Sequence, residues 1–66
     1  MKVNFDEAAD ALYIRLDEAK IEESEEVSPG IVLDYDVKRR VVGIEILGAK
    51  AKLPKADLKT MQFKVA

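Results

Sequence analysis

From Gly30 to Leu47 the chain reads Gly-Ile-Val-Leu-Asp-Tyr-Asp, then Val-Lys-Arg-Arg, then Val-Val-Gly-Ile-Glu-Ile-Leu. Two runs rich in β-branched residues on either side of a short charged stretch predict an antiparallel hairpin. Setting Tyr35 opposite Val42, Leu33 opposite Ile44 and Ile31 opposite Ile46 gathers the bulky side chains on one face. Asp34, Asp36 and Glu45 are then left on the reverse face, and a slip of one residue would reverse that sorting. The turn has no Gly or Asn, so a four-residue loop from Val37 to Arg40 fits it as well as a tight turn does.

Residues 11–16, Ala-Leu-Tyr-Ile-Arg-Leu, alternate in the same way, and upstream Val3 and Phe5 alternate with Lys2 and Asn4. A first hairpin follows, with Phe5 opposite Leu12 and Val3 opposite Ile14. The stretch from 17 to 29 is strongly acidic. It reads either as a solvated loop or, through the spacing Ile21, Glu23, Glu25, Val27, as a short charged edge strand, which is the reading preferred here. Pro54 suits the first position of a helix over 54–60. Met61, Phe63 and Val65 then alternate as a final strand. The expected fold is α+β and mostly β: an antiparallel meander sheet, β-β-(β)-β-β-α-β, with one short C-terminal helix, all in one small domain over 1–66.

The means of supporting such a fold are few. A chain of 66 residues buries only about 60% of its unfolded surface. With neither cysteine nor histidine, disulfides and a thiolate or imidazole zinc site are not available to it. Association with another copy, most simply as a dimer, is the expected support. Residues 1–36 carry 3 basic and 11 acidic side chains and residues 37–66 carry 8 and 2, so a net charge of -2 conceals an acidic half and a basic half. The abundance of Lys and Glu and the scarcity of side-chain amides match a balance seen in proteins from hot environments. No apolar run reaches the length of a signal core or a membrane span, so the expected location is the cytoplasm, with no membrane partner.

Three stretches carry a resemblance: Asp6-Glu7-Ala8-Ala9-Asp10-Ala11-Leu12-Tyr13-Ile14, Ser28-Pro29-Gly30-Ile31-Val32-Leu33-Asp34-Tyr35-Asp36, and Val41-Val42-Gly43-Ile44-Glu45-Ile46-Leu47. Together, from Val3 to Leu53, the chain resembles domain of unknown function 2283, a family of small prokaryotic proteins of about this length. Family members commonly place a glycine in the turn after Asp-Tyr-Asp, where this chain has Arg39. The resemblance implies no activity and brings no catalytic or binding residues with it.

The residue inventory narrows the chemistry. Ser24, Ser28 and Thr60 have no histidine to activate them, and Gly30, Gly43 and Gly48 are too scattered for a phosphate-binding loop. Asp34, Asp36 and Glu45 share oxygen ligands that suit a divalent cation, although solvated or paired surface acids are the ordinary reading. Asp6 and Asp10 read as turn residues rather than calcium ligands. The basic second half suggests weak nucleic-acid binding, but the adjoining acidic half cancels its field. Tyr13, Val32, Val41 and Leu47 would be exposed if only one face of the sheet were covered, which makes them interface candidates. The expectation is a non-enzymatic module that self-associates or binds a protein partner, with no cofactor. The alternatives are a divalent-metal hydrolytic activity on the acidic face and nucleic-acid binding through the basic half.

Overall fold

The computed structural model describes all 66 residues. Five strands, β1 (Lys2–Asp6), β2 (Ala11–Arg15), β3 (Glu23–Ser28), β4 (Ile31–Tyr35) and β5 (Val41–Leu47), precede one helical turn, α1 (Ala49–Lys52). All neighbouring strands are antiparallel, in the order β1-β2-β5-β4-β3. The mostly β fold with a short C-terminal helix is therefore as expected, and the acidic stretch does form an edge strand. Ile21 lies outside that strand, half-buried.

The expected registers hold where side-chain sorting dictates them. Val3 faces Ile14 and Phe5 faces Leu12; Ile31 faces Ile46 and Leu33 faces Ile44. Tyr35, however, pairs with Val41 rather than Val42, because the ladder shifts between Asp34 and Tyr35. A bulge of this kind opposes two residues to one and twists the strand locally. The loop is also shorter than four residues: Arg40 O accepts from Asp36 N, and Asp36 O accepts from Arg39 N, both at 3.0 Å. Three residues, Val37 to Arg39, remain between them. Arg39 takes φ 64°, the left-handed conformation such a loop requires and the reason glycine suits this position. Its guanidinium lies 4.7 Å from the Tyr35 ring centre and reaches Glu23 Oε2 at 2.6 Å, contacts that a glycine would forgo.

The sheet is not a simple meander. β3, β4 and β5 are joined by hairpins, but β2 lies beside β5, so the connection over 16–22 crosses to the far edge in a Greek-key path. Leu16 N donates to Val42 O at 2.8 Å and Glu22 N to Tyr35 O at 2.8 Å, tying that connection to the strand ends it passes. Arg15 steadies it further by donating to the carbonyls of Asp17 and Ala19.

The helix is four residues long and ends before Pro54, so the expected helix over 54–60 is not formed. Asp10, itself at φ 51°, accepts from Ala49 N through its carbonyl and from Lys50 N through its carboxylate, both at 3.0 Å. The first hairpin thus caps α1 from outside, which places the helical turn directly after β5. Residues 54–60 form turns in which the Asp57 carboxylate accepts from Lys59 N and Thr60 Oγ1. Residues 61–65, expected as a final strand, have no strand partner, and alternation without a partner makes no ladder.

Register and alternation divide the sheet into two unlike faces. One carries the rows Val3–Ile14–Ile44–Leu33 and Phe5–Leu12–Ile46–Ile31, which cross four strands. Leu53, Leu58, Met61 and Phe63 approach the β1–β2 end of this face and, with Val3, Phe5, Leu12 and Ile14, line an open groove of about 850 Å³. Only Val42 and Ala49 among the apolar residues are buried. No helix is long and apolar enough to cross a membrane.

Candidate functional site

The opposite face carries the row Lys2–Arg15–Gly43–Asp34–Ser24, set by the same pairings. Gly43 leaves a gap at the centre of β5, and Tyr13 on β2 leans across it. The Tyr13 hydroxyl donates to Asp34 Oδ2 at 2.8 Å, and Ser24 on β3 donates to Asp34 Oδ1 at 2.6 Å. Arg15 Nη1 donates to the Tyr13 hydroxyl oxygen at 3.5 Å, completing a chain of polar contacts that runs from β2 across β5 to β4 and β3. This contact is the largest of the influences that raise the Arg15 pKa. A β-carbon at position 43 would lie 2.6 Å from both Asp34 Oδ2 and the Tyr13 hydroxyl, so the contact depends on glycine there. A glycine inside a β-branched strand was the signal in the sequence for this close approach.

Both oxygens of buried Asp34 are occupied by donors, one on β2 and one on β3, and neither groove in the molecule is lined by Asp34, Tyr13 or Ser24. The geometry therefore ties β2, β4 and β3 together across the sheet.

The three candidate metal-ligating acids are placed differently from one another. Asp34 and Glu45 share this face; Glu45 is half-buried opposite Tyr13 and Val32. Asp36 lies beyond the end of β4, where its Oδ1 accepts from the backbone N–H groups of Lys38 and Arg40 and its Oδ2 from Arg40 Nε. No three acidic side chains gather in a way that could hold a metal ion. Asp6 acts in its turn, with Oδ1 accepting from Ala9 N at 3.1 Å. Of the interface candidates, Tyr13 and Val32 are half-buried, whereas Val41 and Leu47 are 39% and 36% exposed.

The Arg40 backbone N–H, with the Arg40 guanidinium and the Lys38 N–H, outweighs desolvation and holds the Asp36 carboxyl below the usual aspartate range. A group whose folded pKa is depressed contributes stability above its unfolded value, about 4, and loses it as pH falls through the lower folded value. Asp36→Asn keeps an acceptor for the turn but removes the titration. Its urea midpoint should fall less steeply than that of the wild type as pH is lowered below about 4, and equal slopes would show that Asp36 is not coupled to folding. Asp57, held low by Lys59 N–H and Thr60, contributes in the same direction and stays intact in both proteins.

Residues 2–50 match the family model described as protein of unknown function (DUF2283). That is most of the chain, and the protein belongs to this family. No curated protein matches it, and no solved structure does.

Proposed function

We propose that this chain is a non-enzymatic self-associating module, a homodimer whose interface is the apolar face of the sheet. The observation that carries this reading is the excess of open surface. A self-contained globular chain of 7.4 kDa exposes about 4,200 Å². This one exposes 5071 Å² and buries only Val42 and Ala49 among its apolar residues. The excess, about 900 Å², is close to the roughly 800 Å² per partner that a stable interface buries. The radius of gyration, 12.5 Å, likewise exceeds the about 11 Å typical of a compact chain of this length.

Packing two sheets face to face would remove Ile31, Leu33, Ile44 and Ile46 from water, as the two layers of a β-sandwich do. The other face is a poorer interface, because Tyr13, Val32 and Leu47 share it with Arg15, Asp34 and Glu45. Sedimentation equilibrium over a range of concentrations tests the proposal. Micromolar protein should sediment at twice the chain mass, and a folded, monodisperse monomer at about 10 μM would overturn the proposal.

A further inference from the structure

Residues 59–65, Lys-Thr-Met-Gln-Phe-Lys-Val, have the alternation of a strand but pair with none in their own chain. Met61 and Phe63 line the groove beside Val3 and Phe5, yet remain 59% and 68% exposed. At the far side of the sheet, β3 is an edge strand with all six residues exposed. Such an edge offers a free row of backbone N–H and C=O groups to any segment that can add to it. Charge distinguishes it from the other edge. β3 carries Glu23, Glu25 and Glu26 and no base, whereas β1 carries Lys2 and Asp6. Residues 59–65 carry Lys59 and Lys64 and no acid.

We propose that residues 61–65 of each copy add to the β3 edge of a second copy as a sixth strand. This inference rests on the dimer proposed above and specifies its symmetry. When two sheets meet face to face about a two-fold axis that runs parallel to the strands over the central strand β5, β1 of one copy lies over β3 of the other, about 10 Å away. Leu58 holds the start of the segment beside Phe5, near β1, so about three extended residues span that gap. The chain's own β3 is four strand spacings from β1, about 19 Å, and crossing that distance would use about six of the eight residues from Lys59 to Ala66. Too few would remain to form a strand there. With Met61, Phe63 and Val65 on the side of the apolar rows, where β3 itself presents Glu23 and Glu25, Lys64 falls on the face of Ser24 and Glu26 of the second copy, where opposite charges pair across strands.

The absence of cysteine from the chain gives a test without background. Chains carrying Glu26→Cys or Ser24→Cys are each mixed with chains carrying Lys64→Cys under mild oxidation, with Asn4→Cys on β1 as the control partner. A disulfide needs Cα atoms within about 4.4–6.8 Å, so only the adjacent strand should couple quickly. The expected result is a covalent heterodimer from K64C with E26C or S24C, formed at least about tenfold faster than with N4C. Sedimentation of the same samples separates the two claims. A dimer that couples no faster at β3 than at β1 overturns the strand addition and leaves the apolar-face dimer standing, whereas a folded monomer overturns both.

Discussion

Gly43→Ala should unfold this protein at a temperature about 12–24 °C below that of the wild type. A β-carbon placed 2.6 Å from both Asp34 Oδ2 and the Tyr13 hydroxyl cannot be accommodated unless one of those groups withdraws. Whichever moves, the 2.8 Å bond between them is lost, and the carboxylate is buried beneath it. Overpacking at a tight site costs about 1–3 kcal/mol, and a broken hydrogen bond to a carboxylate adds about 1.5–3 kcal/mol. The stiffer backbone of alanine recovers at most about 1 kcal/mol. The net loss is about 3 kcal/mol, against a total stability of about 3–10 kcal/mol for a chain of this length. In domains this small each kcal/mol moves the midpoint by about 4–8 °C. Thermal denaturation followed by circular dichroism reads the shift directly. In a Tyr13→Phe background, where the hydroxyl is already absent, the same substitution should cost measurably less. Equal costs in the two backgrounds would show that Gly43 is not there to let Tyr13 reach Asp34.

That contact marks where the sequence stops being legible. The registers of both hairpins follow from keeping Val3, Phe5, Leu12, Ile14, Ile31, Leu33, Ile44 and Ile46 on one face, a constraint that is local and strong. The edge strand was readable from the spacing Ile21, Glu23, Glu25, Val27 for a similar reason, although the strand itself begins at Glu23. What could not be read depends on groups distant in sequence. The pairing of β2 with β5 is settled by packing across the connection over 16–22 and not by any turn signal. The helix starts at Ala49 because Asp10 supplies its cap, and nothing near Pro54 announces that. The bulge at Val42 and the left-handed Arg39 shorten a loop whose composition gave no glycine to mark it. Tyr13, Asp34 and Ser24 look like unrelated polar residues until Gly43 is seen to lie between them, and then they explain the sheet's cohesion.

Ile44→Asp should raise the dimer dissociation constant by at least about a hundredfold, while Val32→Asp on the other face should leave it within about threefold. Ile44 lies at the centre of the apolar face, with Ile14 opposite it on β2 and Leu33 on β4. In an isolated chain its side chain is only half-buried, so a carboxylate there keeps much of its hydration and costs the monomer little. Beneath a second sheet the same carboxylate would lose its water and find only apolar neighbours, a penalty of several kcal/mol that falls wholly on association. A hundredfold change corresponds to about 2.8 kcal/mol, less than that penalty, so the effect is hard to miss by sedimentation. The wild type should also melt at a temperature that rises with protein concentration, since whatever binds only the folded chain stabilises it by mass action, and the Ile44→Asp protein should lose that dependence. If the carboxylate prevents folding altogether, Ile44→Thr keeps the β-branched shape, sacrifices apolar contact alone and should still weaken the dimer by about tenfold. An unchanged dimer with aspartate at this position would mean that the apolar face is not where two copies meet.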